Sequence, residues 1–438
     1  MATVANAVTS QRVRNRWWQL ALGITAMMAI SSPQYVWTLF IQPLRSSLGV
    51  SLATLQVTFS LLVVLQTWLS PLQGYLVERF GPRALISTGA LLTGLSWVLA
   101  AHTHHLLGLY LSYGVLGGIG TGIIYVGIVG LMVKWFPDKR GLATGLVAAG
   151  YGFGAILTTF PIASTIGALG YQHALLVFGL IQGTVGLLAA QGLRMPKPYE
   201  VRAPAPVPGA QRNAQVQHGF TPSEMLKTPL FWLLFVMMTL MSTSGLMVIS
   251  QMGAFAADFG VGHVLVWGMA ALPLALSLDR FTNGLTRPFF GWLSDRVGRE
   301  NTMTVAFSLE AMAILLMLHL GGNPLAFVIM SGVVFFGWGE IFSLFPSTLT
   351  DLFGARHATT NYGFLYMAQG VGSVLGGPVA ALLHAHTGSW TPVFELVAAM
   401  DVTTALLALL VLKPLRRQWL ESVKEPRFRF IAPQTETD

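Results

Sequence analysis

Long apolar stretches alternate with short polar segments along the whole chain of 438 residues. Each stretch matches the ~20 apolar residues that a helix needs to cross the hydrocarbon core of a membrane. Twelve such stretches are predicted, at residues 17–40, 53–76, 84–102, 107–133, 142–162, 171–193, 228–255, 264–292, 302–320, 324–349, 358–384 and 391–412. The pattern therefore predicts an all-α integral membrane protein with twelve transmembrane helices.

A basic segment rich in proline divides the stretches into two groups of six. It covers residues 194–227, and its composition predicts a solvated cytoplasmic linker with a short helix near Pro222–Met225. We therefore predict one six-helix bundle over residues 1–193 and a second over 228–413. A short tail over residues 414–438 follows the second bundle.

One motif occurs at corresponding places in both predicted bundles. Gly74–Arg83 reads GYLVERFGPR and Gly291–Glu300 reads GWLSDRVGRE, so glycine, aromatic, leucine, acid and arginine recur in register. Parallel repeats of this kind are an architecture of secondary transporters.

The acid and the arginine of each copy predict a latch between the bundles. Glu78 and Asp295 are expected just beyond helix ends, where each can cap the N-terminus of a helix in the other bundle and pair with loop arginines. Such a contact would close one side of the membrane and release as the bundles rock. Glu78, Arg79, Asp295 and Arg296 are therefore the gating candidates.

Composition and charge agree with a membrane protein. Only 10% of the residues are charged, whereas soluble domains carry about 25%. Among the cations outside the predicted spans, only Arg45 falls on the outer side when the N-terminus is placed inside, so both termini are predicted to be cytoplasmic. The net charge of +8 is scattered over the inner face, which excludes nucleic acid as a partner. The chain has no cysteine, and we predict no metal site and no cofactor.

Two arginines lie inside the eighth predicted span. Arg280 and Arg287 share one helix face with Asn283 between them, and Pro288 removes a backbone donor beside Arg287. The planar guanidinium can grip two carboxylate oxygens at once, so Arg287 is predicted to anchor a carboxylate. Arg280 either reaches the same site or is neutralised by Asp279 and cements the bundle.

Aromatic and amide side chains accompany these arginines. They offer an apolar wall with single hydrogen-bond donors, which suits a small planar anion, although a membrane aromatic is often only a packing residue or an interface anchor. The predicted substrate-binding set is Gln34, Tyr35, Tyr125, Tyr151, Trp338, Tyr366 and Gln369, together with Arg287 and Arg280.

Acidic residues inside the spans lie only in the second predicted bundle. Glu340 is the best candidate to carry a proton across the membrane, with Asp279 as the second candidate and a structural acid as the alternative. Glu310, Glu395 and Asp401 are interpreted as structural.

Six short segments are dispersed over both predicted bundles: Gln34–Leu39 (QYVWTL), Lys134–Ala143 (KWFPDKRGLA), Ala148–Gly152 (AAGYG), Arg287–Phe289 (RPF), Leu344–Ser347 (LFPS) and Asn361–Phe364 (NYGF). With the repeated motif, they resemble the major facilitator superfamily over the whole length and, within it, the bacterial oxalate/formate antiporter family. The resemblance implies that Arg287 and a lysine on the eleventh span hold the two carboxylates of oxalate. It also implies that aromatic residues at the positions of Tyr35, Tyr125, Tyr151, Trp338 and Tyr366 enclose the oxalate.

The chain departs from that family at one position, because Gln369 stands where the resemblance places the lysine. Either Arg280 substitutes for the missing cation or the protein carries a monoanion. The main interpretation is a carboxylate transporter of the bacterial inner membrane, monomeric and working by alternating access, with oxalate/formate antiport implied by the resemblance. The alternatives are proton-coupled uptake of lactate, pyruvate or formate, and a membrane sensor that does not transport. No phosphate-binding loop and no cofactor loop supports a pump or an enzyme.

Overall fold

The structure is a computed structural model that describes residues 2–198, 200–201 and 215–423, nearly all of them helical. The parts of the predicted linker and tail at 199, 202–214 and 424–438 lie outside the described residues. The helices before the linker are α1 (Ala2–Ala29), α2 (Ser32–Tyr35), α3 (Trp37–Leu48), α4 (Leu52–Trp68), α5 (Ser70–Phe80), α6 (Pro82–Ala101), α7 (Leu106–Leu109), the π-helical turn Tyr110–Leu116, α8 (Gly117–Trp135), α9 (Arg140–Leu169) and α10 (Tyr171–Gln191).

The second half of the chain is also built mainly of helices. It contains α11 (Pro222–Met225), α12 (Pro229–Asp258), the strands β1 (Leu265–Val266) and β2 (Met269–Ala270), α13 (Ala271–Val297), α14 (Arg299–Leu320), α15 (Pro324–Trp338), α16 (Ile341–Phe353), α17 (Ala358–Thr387), α18 (Thr391–Leu406), the π-helical stretch Leu407–Leu412 and α19 (Lys413–Ser422). The strands form an antiparallel hairpin in which Leu265 pairs with Ala270. The eighth predicted span therefore begins as a hairpin, and its helix starts only at Ala271.

Local sequence explains where several helices begin and break. The side chains of Ser51, Thr228 and Asn323 accept hydrogen bonds from backbone N–H groups in the first turns of α4, α12 and α15. The first predicted span is divided into α1, α2 and α3, with Pro33 in the first turn of the middle piece. The second is bent by 52° between Thr54–Trp68 and Ser70–Phe80.

Eight helical stretches of the described residues are long and apolar enough to cross a membrane, or nine when the bent pair counts as one span. Of the predicted spans outside this set, 264–292 carries Asp279, Arg280 and Arg287, whose charges lower its apolar character. The charged residues that mark a site therefore also weaken the apolar signal of its helix.

Both described ends of the chain lie at the same end of the bundle as the linker. Arg16 near the start pairs with Asp138, and Arg416 near the end pairs with Glu300. We call this the linker end.

The linker itself departs from the prediction of a solvated segment. Backbone N–H groups of Val216 and Phe220 donate to the carbonyls of Asp351 and Phe353, and both linker residues are buried. Backbone hydrogen bonds of this kind hold the segment against the end of α16.

Helices from the two halves meet most closely along α9 and α13. A Cβ on Gly141 would collide with the carbonyl oxygen of Gly291, and one on Gly145 would collide with the carbonyl oxygen of Arg287. These glycines therefore permit backbone-to-backbone contact, the close packing expected of small residues in membrane helices.

Candidate functional site

Arg287 is the centre of the candidate site. It lies on α13 and is 1% exposed. Its Nη1 donates to the carbonyl of Ala148 at 2.6 Å, and its Nη2 donates to Asn283 Oδ1 at 2.8 Å. Nε has no hydrogen-bond partner, and Arg287 takes part in none of the ion pairs found among the described residues. A buried cation without a counter-charge is costly, so an anion that binds beside Arg287 would lower the free energy of the site.

A small chamber of about 20 Å³ lies against Arg287. This volume holds one water-sized molecule. The lining brings together most of the predicted substrate-binding residues, drawn from both halves of the chain: Gln34, Tyr35, Tyr125, Tyr151, Tyr366 and Gln369, with Val63, Gln66, Thr67 and Phe342 added.

The tyrosines of the chamber form one connected aromatic group. Tyr125 stacks on Tyr366 at a centroid distance of 4.8 Å, and its edge meets Tyr151 at 5.2 Å. Tyr35 meets Tyr151 at 5.3 Å. Phe342 lies under the guanidinium of Arg287, with its ring centroid 4.6 Å from the arginine Cζ. Phe342 therefore presents its ring to the cation, which is the arrangement that cation–π attraction favours.

Amide side chains complete the polar lining. Tyr151 donates its hydroxyl to Gln34 Oε1 at 2.6 Å, and Gln66 Nε2 lies 3.4 Å from the hydroxyls of Tyr151 and Tyr366. Sequence reasoning missed Gln66, whose only signal was an amide within an apolar stretch. Among the residues that the structure describes, the Tyr125 hydroxyl and Gln369 Oε1 have no hydrogen-bond partner, so both are available to a ligand.

A larger cavity of about 440 Å³ adjoins the chamber and shares Gln34, Tyr35 and Gln369 with it. This cavity lies on the side of the chamber away from the linker end. Trp338 and Arg280 line this cavity rather than the chamber.

The other predicted residues of the larger cavity differ in exposure. Arg280 is exposed, whereas Asp279 beside it is buried and neither of its oxygens has a hydrogen-bond partner. Trp338 donates its Nε1 to the carbonyl of Met241, so that donor is already used by α12.

The linker end is closed by contacts between the halves. Asp295 accepts hydrogen bonds from the backbone N–H groups of Gly141 and Leu142 at 3.0 and 2.9 Å, which lie in the first turn of α9. Arg299 donates to the same carboxylate. A carboxylate at a helix N-terminus is stabilised by the helix dipole as well as by these hydrogen bonds.

Glu78 makes the corresponding contact on the other side of the pseudo-repeat. It accepts from the backbone N–H of Thr359 and the hydroxyl of Thr360 at the start of α17, and it pairs with Lys134 at 2.9 Å. Both acids thus cap a helix of the opposite half, although each lies inside the last turn of its own helix rather than beyond it.

The two motif arginines stay outside this network. Arg79 donates to the hydroxyl of Tyr75, and Arg296 lies over the ring of Trp292. The cation that does cross the interface, Arg140, was not foreseen. It donates to Asp351 of the second half at 2.6 Å, and Arg299, which lies in the same half as Asp351, donates to that acid at 2.9 Å. All three side chains are nearly fully buried.

The sequence profile of the Major Facilitator Superfamily matches residues 20–278 and 272–434. The chain belongs to the major facilitator superfamily. The predicted resemblance is confirmed, and so is the prediction of a transporter rather than an enzyme. Membership in this superfamily makes the chain a multi-pass membrane transporter.

Two curated relatives and one solved structure illustrate the position of the chain within the superfamily. The oxalate:formate antiporter of Oxalobacter formigenes is 34% identical over 94% of this chain and 94% of its own length. Monocarboxylate transporter 13 of Bos taurus is 25% identical over 77% of this chain and 75% of its own length. The crystal structure of a major facilitator superfamily transporter, FucP, in the outward conformation covers 89% of this chain and 97% of its own, with a TM-score of 0.64 and 16% identity. This last likeness shows the fold.

Three further acids of this major facilitator superfamily chain are fully buried in its second half. Glu310, Glu340 and Asp401 are each 0% exposed, and both oxygens of each lack a hydrogen-bond partner within the described part of the chain. Glu395, by contrast, is exposed.

Proposed function

We propose that this transporter carries small carboxylates across the bacterial inner membrane by alternating access. The observation that carries the proposal is Arg287, a buried cation that lies at the base of a cavity and forms no ion pair within the described residues. The hydroxyl of Tyr125 and the amide of Gln369 offer further polar groups to an anion bound there.

Binding requires the site to rearrange, because the chamber holds only one water-sized molecule. The adjoining cavity of about 440 Å³ has room for a small carboxylate. As the anion approaches Arg287 from this cavity, the guanidinium can exchange its bond to the neutral amide of Asn283 for a bond to a carboxylate, in which both partners are charged.

Alternating access follows from the arrangement of latch and cavity. The contacts of Asp295 and Glu78 close the linker end, while the cavity lies on the opposite side of Arg287. We propose that the linker end faces the cytoplasm, that the chain has twelve spans in bundles 1–193 and 228–413 joined by linker 194–227, and that the monomer is the functional unit. Glu78 and Asp295 are then the gating residues.

Two modes of transport are distinguished by the charge of the site. The relative that is an oxalate:formate antiporter supports exchange of these two anions as the first candidate. Gln369 supports the second candidate, proton-coupled uptake of a monocarboxylate, because it is neutral where the resemblance places a lysine. Arg287 is the cation that lines the chamber within the described residues, and Arg280 is exposed in the larger cavity. Glu340 and Asp279 are the candidates to carry the proton.

Counterflow in proteoliposomes tests the proposal. Vesicles are loaded in turn with oxalate, formate, lactate or pyruvate, and entry of each labelled anion is followed with and without a pH gradient. We expect exchange of at least one carboxylate by the unaltered protein and by the surface variant Arg296→Gln. Arg287→Gln, in folded and monodisperse form, should exchange none of them. Absence of counterflow for all four anions would refute carboxylate transport and favour a sensor.

A further inference from the structure

Behind the wall of the larger cavity, helices of the second half bring two carboxyl groups together. Glu310 lies on α14, which packs against α18 with Asp401 and against α15, and Glu340 lies at the junction of α15 and α16. The charges of Asp401 and Glu340 both act on Glu310, so the three carboxyl groups are neighbours. The helices pack tightly at this level, since a Cβ built on Gly337 would lie 2.7 Å from the Cβ of Glu310.

These carboxyl groups are not held in ion pairs within the described part of the chain. None of the ion pairs found among the described residues includes Glu310, Glu340 or Asp401. An unpaired buried charge costs several kcal/mol, and an acid inside a membrane span is costly for the same reason. A bound proton removes that cost, so the three acids are built to hold protons.

Ser244 on α12 supplies an independent sign of a ligand. Its side chain is fully buried, and its hydroxyl faces the carboxyl groups of both Glu310 and Asp401 without meeting either in a formed hydrogen bond. A hydroxyl can accept from one acid and donate to the other, so it can relay a proton between them.

A proton fits this place better than a metal ion. Among the described residues, no three acidic or imidazole side chains approach closely enough to share a metal ion. The pair therefore lacks the converging oxygens that a bound cation requires.

Glu340 connects the acid pair to the substrate site. The charged groups that act on Glu340 are Asp401 and Arg287. A deprotonated Glu340 would therefore compete with a substrate carboxylate for the charge of Arg287, whereas a protonated Glu340 leaves that charge to the substrate.

We propose that Glu310, Asp401 and Ser244 form a proton-binding site that takes up and releases one proton in each transport cycle, with Glu340 passing the proton between this site and the cavity. The inference rests on the proposed carboxylate transport and deepens it. A carboxylate oxygen of the pair accepts the proton while Arg287 binds the substrate anion, and both leave on the other side. One monocarboxylate anion and one proton then cross together with no net charge.

Proteoliposomes that enclose a pH-sensitive dye test this site, with lactate and, in parallel, oxalate as the probe anions. Glu310→Gln and Asp401→Asn keep the shape of the protonated acid but cannot exchange its proton. We expect a lactate gradient to move protons in the unaltered protein and in the matched control Glu395→Gln, whose carboxyl is exposed on the same helix as Asp401. In each acid variant the ratio of proton-driven uptake to lactate exchange should fall at least about tenfold.

The outcomes separate this inference from the proposed function. Two outcomes would overturn the proton site and leave carboxylate transport standing. The first is carboxylate exchange without proton movement in the unaltered protein, and the second is unchanged proton movement in both acid variants. If neither anion is exchanged, carboxylate transport fails. The infrared carbonyl band of a protonated carboxylic acid in purified protein then decides the proton site. Its loss in the double variant supports the site, and its absence from the unaltered protein refutes it. Ser244→Ala, which removes only the bridging hydroxyl, should slow proton movement and serves where an acid variant does not fold.

Discussion

Replacing Gln369 by lysine should change which anion the protein prefers. Gln369 lines both the chamber and the larger cavity, is 7% exposed, and has a side-chain oxygen without a partner. A lysine at this position places a second cation opposite Arg287. A dianion such as oxalate then meets two positive charges, whereas in the unaltered protein one carboxylate of oxalate lacks a counter-charge in the chamber.

The magnitude follows from the charge balance. Two unit charges 4 Å apart interact by about 4 kcal/mol at an effective dielectric constant of 20. Removing the new ammonium and the second carboxylate from water offsets part of this gain. We therefore expect a net gain of at least about 1.4 kcal/mol, or about tenfold in the ratio of oxalate to lactate affinity.

Competition binding to purified protein measures that ratio. Gln369→Met, which has a long neutral side chain, is the matched control and should not raise the ratio. Tight binding of oxalate by the unaltered protein, insensitive to Gln369→Lys but lost in Arg280→Gln, would refute the argument. In that case Arg280 is the second cation, and the dianion is the natural substrate.

Three further variants test the anchor, the proton and the latch. Arg287→Gln should reduce carboxylate counterflow to background while elution in size-exclusion chromatography is unchanged, and retention of half the rate would remove Arg287 from the site. Glu340→Gln should flatten the pH dependence of uptake, and an unchanged pH profile would make Glu340 structural. Asp295→Asn weakens hydrogen bonds to a charged group, each worth about 1.5–3 kcal/mol. It should therefore raise thiol labelling at Ser347→Cys, a buried position at the linker end of a chain without other cysteines. Arg296→Gln is the control, and equal labelling in both would refute the latch.

Much of the site could be predicted because charge and aromatic residues are rare and costly inside a membrane. That cost marked Arg287, and the resemblance to the antiporter family added the tyrosines that now enclose it. Gln66 was missed because a single amide in an apolar stretch costs little and carries no motif. The sequence left open whether Arg280 reaches the same site as Arg287, since helical spacing gives a shared face but not the depth at which each side chain ends.

For the latch, the sequence identified the two acids that cap helices but not the arginines that pair with acids beside them. The repeated acid of the motif identified Glu78 and Asp295, and both cap a helix of the opposite half. The adjacent arginines do not contribute, because their side chains contact aromatic rings instead. The packing of Val216 and Phe220 was not predictable from residue type, since backbone hydrogen bonds can be made by any non-proline residue.

The glycine contacts between α9 and α13 hold the two helices closer together at one end than at the other. At the linker end the backbones touch at Gly141 and Gly291, whereas a Cβ on Gly152 would still be 3.9 Å from the Cα of Gly284. The two helices therefore diverge away from the linker end, and the carbonyl of Arg287 lies where they are still in contact. A methyl group at Gly141 would force the two helices apart at the linker end, whereas a bulky side chain at Gly152 would fill the space between them at the other end. The small residues on this face of α9 thus determine at which end the two halves can approach each other.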